Sequence, residues 1–158
     1  MIQIKEGDQV TNFILPRDGS GTIDTLKDIN NLYIVYFYPK DDTPGCTIEA
    51  INFSESSSFF EDNNITIIGI SKDSVEKHDK FKNKHNLKII LAADTDGKVC
   101  ESFGVWVEKS MYGRKYMGIE RSTFIIDKGH IIRKVWRKVK VKDHVEYVKE
   151  EIKRIINT

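Results

Sequence analysis

The chain has 158 residues, of which 39% are hydrophobic and 31% are charged, and this length is about that of one domain with its own core. Its formal net charge of +1 gives no overall indication of a nucleic-acid or acidic-surface partner. With only two cysteines, Cys46 and Cys100, the sequence excludes a disulfide scaffold and any metal or iron–sulfur site built from four cysteines.

The start of the chain lacks the basic and apolar regions of a signal peptide. The longest apolar run, Leu32 to Tyr38, is seven residues long and far too short to span a membrane. We therefore expect no membrane association and a cytoplasmic location, where thiols stay reduced. In that setting a cysteine is either a buried core residue or a reactive group.

The first half of the chain alternates between strand and helix patterns. The pattern predicts, in order, a turn at 18–21, a strand buried on both faces at 32–38, a helix at 44–60, a strand at 65–70, a helix at 73–85 and a short strand at 87–91. Glu76 lies three residues after Asp73, which is the spacing of a capping box. The alternation predicts consecutive βαβ units with a parallel sheet.

The last part of the chain has the pattern of a β-hairpin followed by a helix. The β-prone segments 122–126 and 131–137 flank the turn 127–130, which predicts a hairpin. A final helix is expected from Asp143, with Glu146 at the capping-box spacing and a helical apolar repeat made by Val145, Val148, Ile152, Ile155 and Ile156. A βαβ half followed by a hairpin and a helix predicts an α/β, thioredoxin-like fold, with a central mixed sheet flanked by helices.

Basic residues are concentrated at the end of the chain. Residues 1–127 hold 15 basic and 20 acidic side chains, whereas residues 128–158 hold 10 and 4. In the segment 133–142 the basic residues are interleaved with valines. One interpretation is a patch that binds anions or nucleic acid; the other is an edge strand that its lysines protect from aggregation. No recognisable nucleic-acid motif accompanies the charge, so we favour the edge strand.

The segment 39–47 directly follows the most buried predicted strand, where active sites of open α/β sheets gather. Thr43 suits a helix N-cap and Pro44 the first helical position, so Cys46 is expected at the third position of a helix. There its sulfur faces unpaired backbone N–H groups and the positive end of the helix dipole. These conditions favour the reactive thiolate. The alternative is a small buried cysteine with no chemical role.

The same segment resembles a known family. Pro39, Thr43 and Cys46 form the P-x-x-x-T-x-x-C motif of peroxiredoxins, and the string 38–47 is similar to the peroxiredoxin Q branch, also called bacterioferritin comigratory proteins. Blocks at 104–106, 109–113 and 118–127 resemble that branch in the same order. The resemblance thus covers nearly the whole chain and implies a single domain over 1–158. It also implies an N-terminal extension and an inserted helix and strand between the two halves of the thioredoxin-like fold.

The resemblance implies a thiol peroxidase that reduces hydrogen peroxide and organic hydroperoxides and serves antioxidant defence. Cys46 is the expected nucleophile and becomes a sulfenic acid. Thr43 is expected to bond the thiolate and the substrate oxygen, and Arg121 to stabilise the thiolate and the leaving oxygen. Pro39 is expected to shield the thiolate from water. Backbone N–H groups near Gly45 and Cys46 would complete the site.

One acidic residue is expected to support this site. The resemblance gives Glu49, one helical turn after Cys46, the task of orienting Arg121. It implies no cofactor and no metal. The expected partners are a hydroperoxide and a thiol reductant such as thioredoxin, glutaredoxin or glutathione, with thioredoxin the expected donor. The chain is expected to be a monomer or a weak homodimer, without nucleic acid.

The sequence departs from the pattern in its second thiol. Many members of the branch carry a resolving cysteine five residues after the first, where this chain has Ile51, and the predicted helix 73–85 contains none. Cys100 is either an unusual resolving thiol or a small core residue. We favour the core residue, and therefore expect an external thiol to reduce Cys46.

Two other functions stay open from the sequence: a redox sensor in which oxidation of Cys46 alters binding, and a nucleic-acid module that uses the basic segment. His78 and His85 share one face of the helix 73–85, and we expect them to be solvated rather than metal ligands. The absence of a C-x-x-C motif argues against a dithiol reductase, since position 49 is glutamate.

Overall fold

The apolar run that the sequence places at 32–38 becomes the middle strand of a sheet. A computed structural model describes residues 4–158. Its elements, in chain order, are β1 (Ile14–Pro16), β2 (Thr22–Asp24), β3 (Tyr33–Phe37), α1 (Pro44–Glu55), α2 (Ser57–Asp62), β4 (Thr66–Ser71), α3 (Val75–His85), β5 (Ile90–Ala93), α4 (Lys98–Ser102), β6 (Trp106–Met111), β7 (Arg114–Ile119), β8 (Ser122–Ile126), β9 (Ile132–Trp136) and α5 (His144–Ile156).

Five of these strands form the central sheet, in the order β5-β4-β3-β8-β9. Strands β3, β4 and β5 run parallel, while β8 is antiparallel to both β3 and β9. The predicted mixed sheet and the predicted C-terminal hairpin are therefore confirmed. Because β3 pairs with β8 in antiparallel register, Phe37 at the end of β3 lies opposite Ser122 at the start of β8. The register brings two chain segments that are far apart in sequence to the same edge of the sheet.

The sheet separates two layers of core. Successive side chains of a strand point to opposite faces, so Val35 and Phe37 of β3 pack in one layer and Ile34 and Tyr36 in the other. The first layer is closed by the β1–β2 hairpin and by α4. The second is closed by α1, α3 and α5 and contains Cys46.

The predicted helix 44–60 is in fact two helices. Ser56 separates α1 from α2, with φ −97° and ψ 12°, and its N–H donates to the carbonyl of Phe53 rather than continuing the α-helical ladder. Ser56 opens a run of three serines, residues that compete with the helix for backbone hydrogen bonds. The apolar spacing alone did not show this break.

Both predicted capping boxes are wrong in detail. Helix α3 begins at Val75, and its N-cap is Ser74, whose hydroxyl accepts from the N–H of Lys77. Asp73 instead accepts hydrogen bonds from the Ser71 hydroxyl and from the N–H of Asp41. Helix α5 has Asp143 as its N-cap, but that residue is left-handed, with φ 62°, and its side chain makes no capping bond.

The segment between the halves contains more than the expected helix and strand. The predicted strand 87–91 corresponds to β5, which begins three residues later, at Ile90, and the chain then adds α4 and the β6–β7 hairpin. Most of β7 is exposed, so its sequence does not alternate between apolar and polar residues. The sequence pattern therefore did not predict this hairpin.

The basic segment 133–142 begins on an edge strand, since β9 ends the strand order of the central sheet. Three of its cations pair with carboxylates: Arg133 with Asp127, Lys134 with Glu151, and Arg137 with Glu120. This arrangement supports the interpretation as a protected edge.

Gly69 of β4 makes room for the ring of Tyr36. A Cβ at position 69 would lie 2.8 Å from the Cζ and Oη atoms of that buried tyrosine. We therefore expect Gly69→Ala to lower the free energy of unfolding by about 1–3 kcal/mol, as overpacked cores do. Urea denaturation would measure the loss. Gly118→Ala is the matched control, because its Cβ would meet the flexible Lys109 side chain at 3.2 Å. Equal effects of the two substitutions would contradict this account.

Candidate active site

Cys46 lies at the third residue of α1, as predicted from the sequence. Thr43 is the N-cap, with extended backbone at φ −94° and ψ 158°, and Pro44 is the first helical residue. The Thr43 carbonyl accepts from the N–H of Thr47 in the first turn. The Cys46 side chain is buried, with 2% of the residue exposed. The sulfur therefore sits at the end of β3, inside the second core layer and near the helix N-terminus.

The Arg121 guanidinium reaches this sulfur from the loop between β7 and β8. Its Nη2 donates to Cys46 Sγ at 3.4 Å, and its Nη1 donates to Glu49 Oε1 at 2.8 Å. The arginine is delivered there by the sheet register, since Arg121 precedes the residue that pairs with Phe37. Its carbonyl also accepts from the N–H of Val139 at 3.0 Å. The structure thus brings together three predicted site residues: Cys46, Arg121 and Glu49.

Gly45 lets the guanidinium approach the helix closely. A Cβ at this position would lie 3.3 Å from Arg121 Nη2, closer than most real contacts of a Cβ. A side chain there would push the arginine away from the sulfur. The predicted site residue Gly45 therefore has a steric role, because it leaves room for the guanidinium.

Thr43 and Pro39 have a less direct relation to the sulfur. The Thr43 hydroxyl donates to the carbonyl of Lys40 at 2.9 Å, and its side chain makes no N-cap bond. This bond tightens the loop between β3 and α1. Pro39 lies two residues after the end of β3 and is exposed. Its predicted shielding of the thiolate stays a prediction.

Glu49 is completely buried beneath the arginine. One carboxylate oxygen bonds Arg121, whereas Oε2 has no hydrogen-bond partner among residues 4–158. Burial raises the pKa of Glu49 to about 7, although the neighbouring Arg121 guanidinium opposes the rise. The carboxyl group therefore changes charge near neutral pH.

Tyr36 is a neighbour of this group that sequence reasoning missed. Its hydroxyl is buried and, like Glu49 Oε2, lacks a partner in the described part of the chain. Burial, followed by the charge of Glu49, raises the pKa of Tyr36 well above its usual range. Strand alternation gave a signal for it, because Tyr36 shares a face of β3 with Ile34, two residues before the loop begins.

A buried network fixes the loop against α3 and corrects the expectation of a solvated His78. Asp41 accepts from the Tyr38 hydroxyl at 2.5 Å and contacts His78 Nδ1 at 2.6 Å. His78 is fully buried, and its Nε2 lies 2.9 Å from the carbonyl oxygen of Ala92. His85, also expected to be solvated, is only 21% exposed in its side chain and lies 2.9 Å from Asp42.

Cys100 lies on the other side of the sheet from Cys46. It is fully buried in the first core layer on α4, and its N–H donates to Asp94 Oδ2 at 2.8 Å. Burial, with the adjacent Asp94, raises the pKa of the Cys100 thiol well above its usual range. A disulfide needs Cα atoms within about 7 Å, and the intervening sheet keeps the two cysteines in separate layers.

Among residues 4–158, no helix is long and apolar enough to cross a membrane. No three His, Cys, Asp or Glu side chains in that range are grouped so that they could hold a metal ion.

The chain is similar to known proteins over nearly its whole length. The AhpC/TSA family matches residues 6–135. Peroxiredoxin Bcp of Bacillus subtilis is 50% identical over 151 residues, which cover 95% of this chain and 96% of that protein. The putative peroxiredoxin Bcp of Coxiella burnetii is 47% identical, over 93% of this chain and 97% of that one.

Solved structures agree with the sequence relatives. A cysteine-to-serine mutant of Xylella fastidiosa PrxQ superposes with a TM-score of 0.93 at 38% identity, covering 99% of each chain. The bacterioferritin comigratory protein of Xanthomonas campestris gives a TM-score of 0.87 at 34% identity, covering 93% of this chain and 98% of that one. The thioredoxin-like fold is therefore confirmed. The chain belongs to the AhpC/TSA family and is a peroxiredoxin, a thiol peroxidase, of the Bcp or PrxQ branch.

Proposed function

We propose that this enzyme reduces hydrogen peroxide and organic hydroperoxides through a sulfenic acid on Cys46. The contact of Arg121 Nη2 with Cys46 Sγ, 3.4 Å long at the start of α1, carries the proposal. The thiolate attacks one peroxide oxygen, the S–O bond forms and the O–O bond breaks. The other oxygen leaves with the electron pair of that bond and takes up a proton, which gives water or an alcohol.

Arg121 stabilises charge on both sides of this step. Its permanent positive charge favours the thiolate before attack and the negative oxygen that develops as the O–O bond breaks. The N–H groups at the start of α1 add donors on the same side, because the first N–H groups of a helix have no partner within it. Thr43 is placed at the N-cap, from which its hydroxyl can turn from Lys40 toward a bound peroxide.

Glu49 acts through Arg121 rather than on the substrate. Its 2.8 Å bond to Nη1 holds the guanidinium plane so that Nη2 points at the sulfur. The pair is shielded from water, since Glu49 is completely buried and the Arg121 side chain is only 18% exposed. Shielding makes the orientation firm and strengthens the field that the sulfur experiences.

An external thiol then reduces the sulfenic acid. Cys100 is separated from Cys46 by the sheet, and Ile51 occupies the position five residues after Cys46. A one-cysteine cycle follows, with thioredoxin, glutaredoxin or glutathione as the donor class. The alkyl peroxide reduction activity attributed to the X. campestris relative supports organic hydroperoxides as substrates here. We place the enzyme in the cytoplasm, as a monomer or weak homodimer that serves antioxidant defence and redox homeostasis.

A matched pair of cysteine variants tests the proposal. Cys46→Ser is expected to abolish peroxide consumption, because it removes the nucleophile, whereas Cys100→Ser is expected to keep peroxide turnover within about twofold of the native enzyme. Peroxide consumption with an excess of a thiol donor would be measured, together with the mass of each protein after one equivalent of peroxide. The expected product is one added oxygen on Cys46 in the native protein and in Cys100→Ser. Retained turnover in Cys46→Ser would refute the proposal, and a Cys100→Ser enzyme that stalls after one turnover would refute the one-cysteine cycle.

The raised pKa of Glu49 predicts a pH effect on stability. The folded protein binds this proton more tightly than the unfolded chain, because the pKa rises from 4.5 to about 7 on folding. The contribution of Glu49 to the free energy of unfolding is thus lost as pH rises through this window. Glu49→Gln keeps a hydrogen-bond acceptor but cannot ionise.

The free energy of unfolding of Glu49→Gln, relative to the native protein, is expected to rise by about 2 kcal/mol between pH 5 and pH 8. Urea denaturation at several pH values would measure it. Glu55→Gln, at an exposed position of the same helix, is the control and is expected to show no such trend. A pH-independent difference for Glu49→Gln would show that the buried carboxyl does not titrate in this range.

A further inference from the structure

A cavity of about 240 Å³ lies beside the loop that carries the active site. Its walls come from residues 40–42 of that loop, from Asp73 between β4 and α3, and from Lys77, Lys80, Phe81 and Lys84 of α3. It is connected to the active site by a direct contact, since the carbonyl of Lys40 accepts the Thr43 hydroxyl at 2.9 Å. Phe81 supplies apolar surface to this cavity.

The carboxylates of the cavity are already engaged. Asp41 contacts His78, Asp42 pairs with Lys84 at 2.8 Å and with His85 at 2.9 Å, and Asp73 accepts from the Ser71 hydroxyl. Three cations have no such partner: Lys40, Lys77 and Lys80 form no ion pair with any carboxylate in residues 4–158, and all three are exposed. The cavity thus presents free positive charge to solvent next to Thr43.

Reduction of the Cys46 sulfenic acid, the second step of the proposed cycle, needs an external thiol. Cys100 lies in the other core layer, so no second thiol of the chain shares the layer of Cys46. Cys46 is also only 2% exposed, so a small thiol enters more easily than the broad face of a protein. A concave site with an aromatic wall and free lysines suits a small, negatively charged molecule.

We propose that this cavity docks the reductant, a low-molecular-weight thiol that bears carboxylates, and so raises its concentration beside Cys46. The inference rests on the proposed function and names its reductant class. Lys77 and Lys80 attract the carboxylates, while the thiol end extends past Lys40 toward the sulfenic acid. Free charges around a concave site raise association rates by about tenfold or more at low ionic strength.

The chemistry of the step is balanced without any further reactant. The thiol sulfur attacks the Cys46 sulfenic sulfur, an S–S bond forms, and the S–O bond breaks. The hydroxyl leaves with the proton of the thiol as water. A second thiol molecule then attacks the mixed disulfide, which returns Cys46 to the thiol state and releases the oxidised disulfide of the reductant.

The test separates oxidation from reduction. The variant Lys77→Gln/Lys80→Gln and the control Lys128→Gln would each be oxidised with one equivalent of hydrogen peroxide, and the rate of that step recorded. Lys128 lies in the β8–β9 turn at the opposite edge of the sheet and is also an exposed lysine without an ion pair among the described residues. The sulfenic acid that remains would then be measured over time with reduced glutathione, with neutral 2-mercaptoethanol and with a reduced thioredoxin.

The double variant is expected to react about tenfold more slowly with glutathione at low ionic strength and to react normally with 2-mercaptoethanol. Added salt is expected to shrink the difference. Lys128→Gln is expected to match the native protein with both thiols. The rate of oxidation by hydrogen peroxide is expected to be the same in all three proteins.

Several results would overturn the inference: an unchanged rate with glutathione, an equal loss with 2-mercaptoethanol, or a loss confined to thioredoxin, which would make the lysines a protein-docking surface. Absence of any sulfenic acid in the native protein is a different failure. It would refute the proposed function itself, and this inference with it.

Discussion

The site depends on one guanidinium held between a sulfur and a buried carboxylate. Arg121 donates to Cys46 through Nη2 and to Glu49 through Nη1, and both partners belong to the second core layer. A buried carboxylate without such a partner would be costly, so Glu49 and Arg121 fix each other. The bond to Glu49 keeps the guanidinium beside the sulfur, where its positive charge favours the thiolate. The missing Cβ of Gly45 is what allows this approach.

The rest of the fold serves to bring these groups together and to keep them apart from the second cysteine. The pairing of β3 with β8 delivers Arg121 to the end of β3, although 75 positions separate it from Cys46. Helices α1 and α4 pack against opposite faces of the sheet, so Cys46 and Cys100 lie in different layers. The Tyr38 hydroxyl donates to Asp41, and His78 of α3 contacts the same carboxylate, which holds the β3–α1 loop against α3. The same sheet thus brings Arg121 to Cys46 and separates Cys46 from Cys100.

Much of this arrangement was predictable from local chemistry. The Thr43-Pro44 pair located the start of α1, and with it the position of Cys46, because both residues have strong and specific preferences at helix N-termini. The role of Arg121 was predicted only from the resemblance to a family, since no local property distinguishes it from other arginines. Its contact with the sulfur depends on strand register, which a single sequence does not reveal.

The errors have a common physical cause. His78 was expected in solvent because helix periodicity gives a face but not what covers it, and Asp41 buries it through a contact 37 positions away. Tyr36 was overlooked because a tyrosine in an apolar strand resembles ordinary core. The break at Ser56 and the β6–β7 hairpin were missed because polar, exposed segments carry little periodic signal.

We propose that Arg121 activates the Cys46 sulfur and stabilises the leaving oxygen, because its guanidinium donates to the sulfur and to Glu49 at the same time. Arg121→Lys keeps a positive charge but loses the fork of donors. The most direct measurement is the rate constant for oxidation of Cys46 by hydrogen peroxide in a single turnover, with Arg137→Lys as a control at a second arginine paired with a carboxylate. We expect this rate constant to fall on the order of 100-fold in Arg121→Lys and to stay near native in Arg137→Lys. A rate for Arg121→Lys within about twofold of the native value would contradict it.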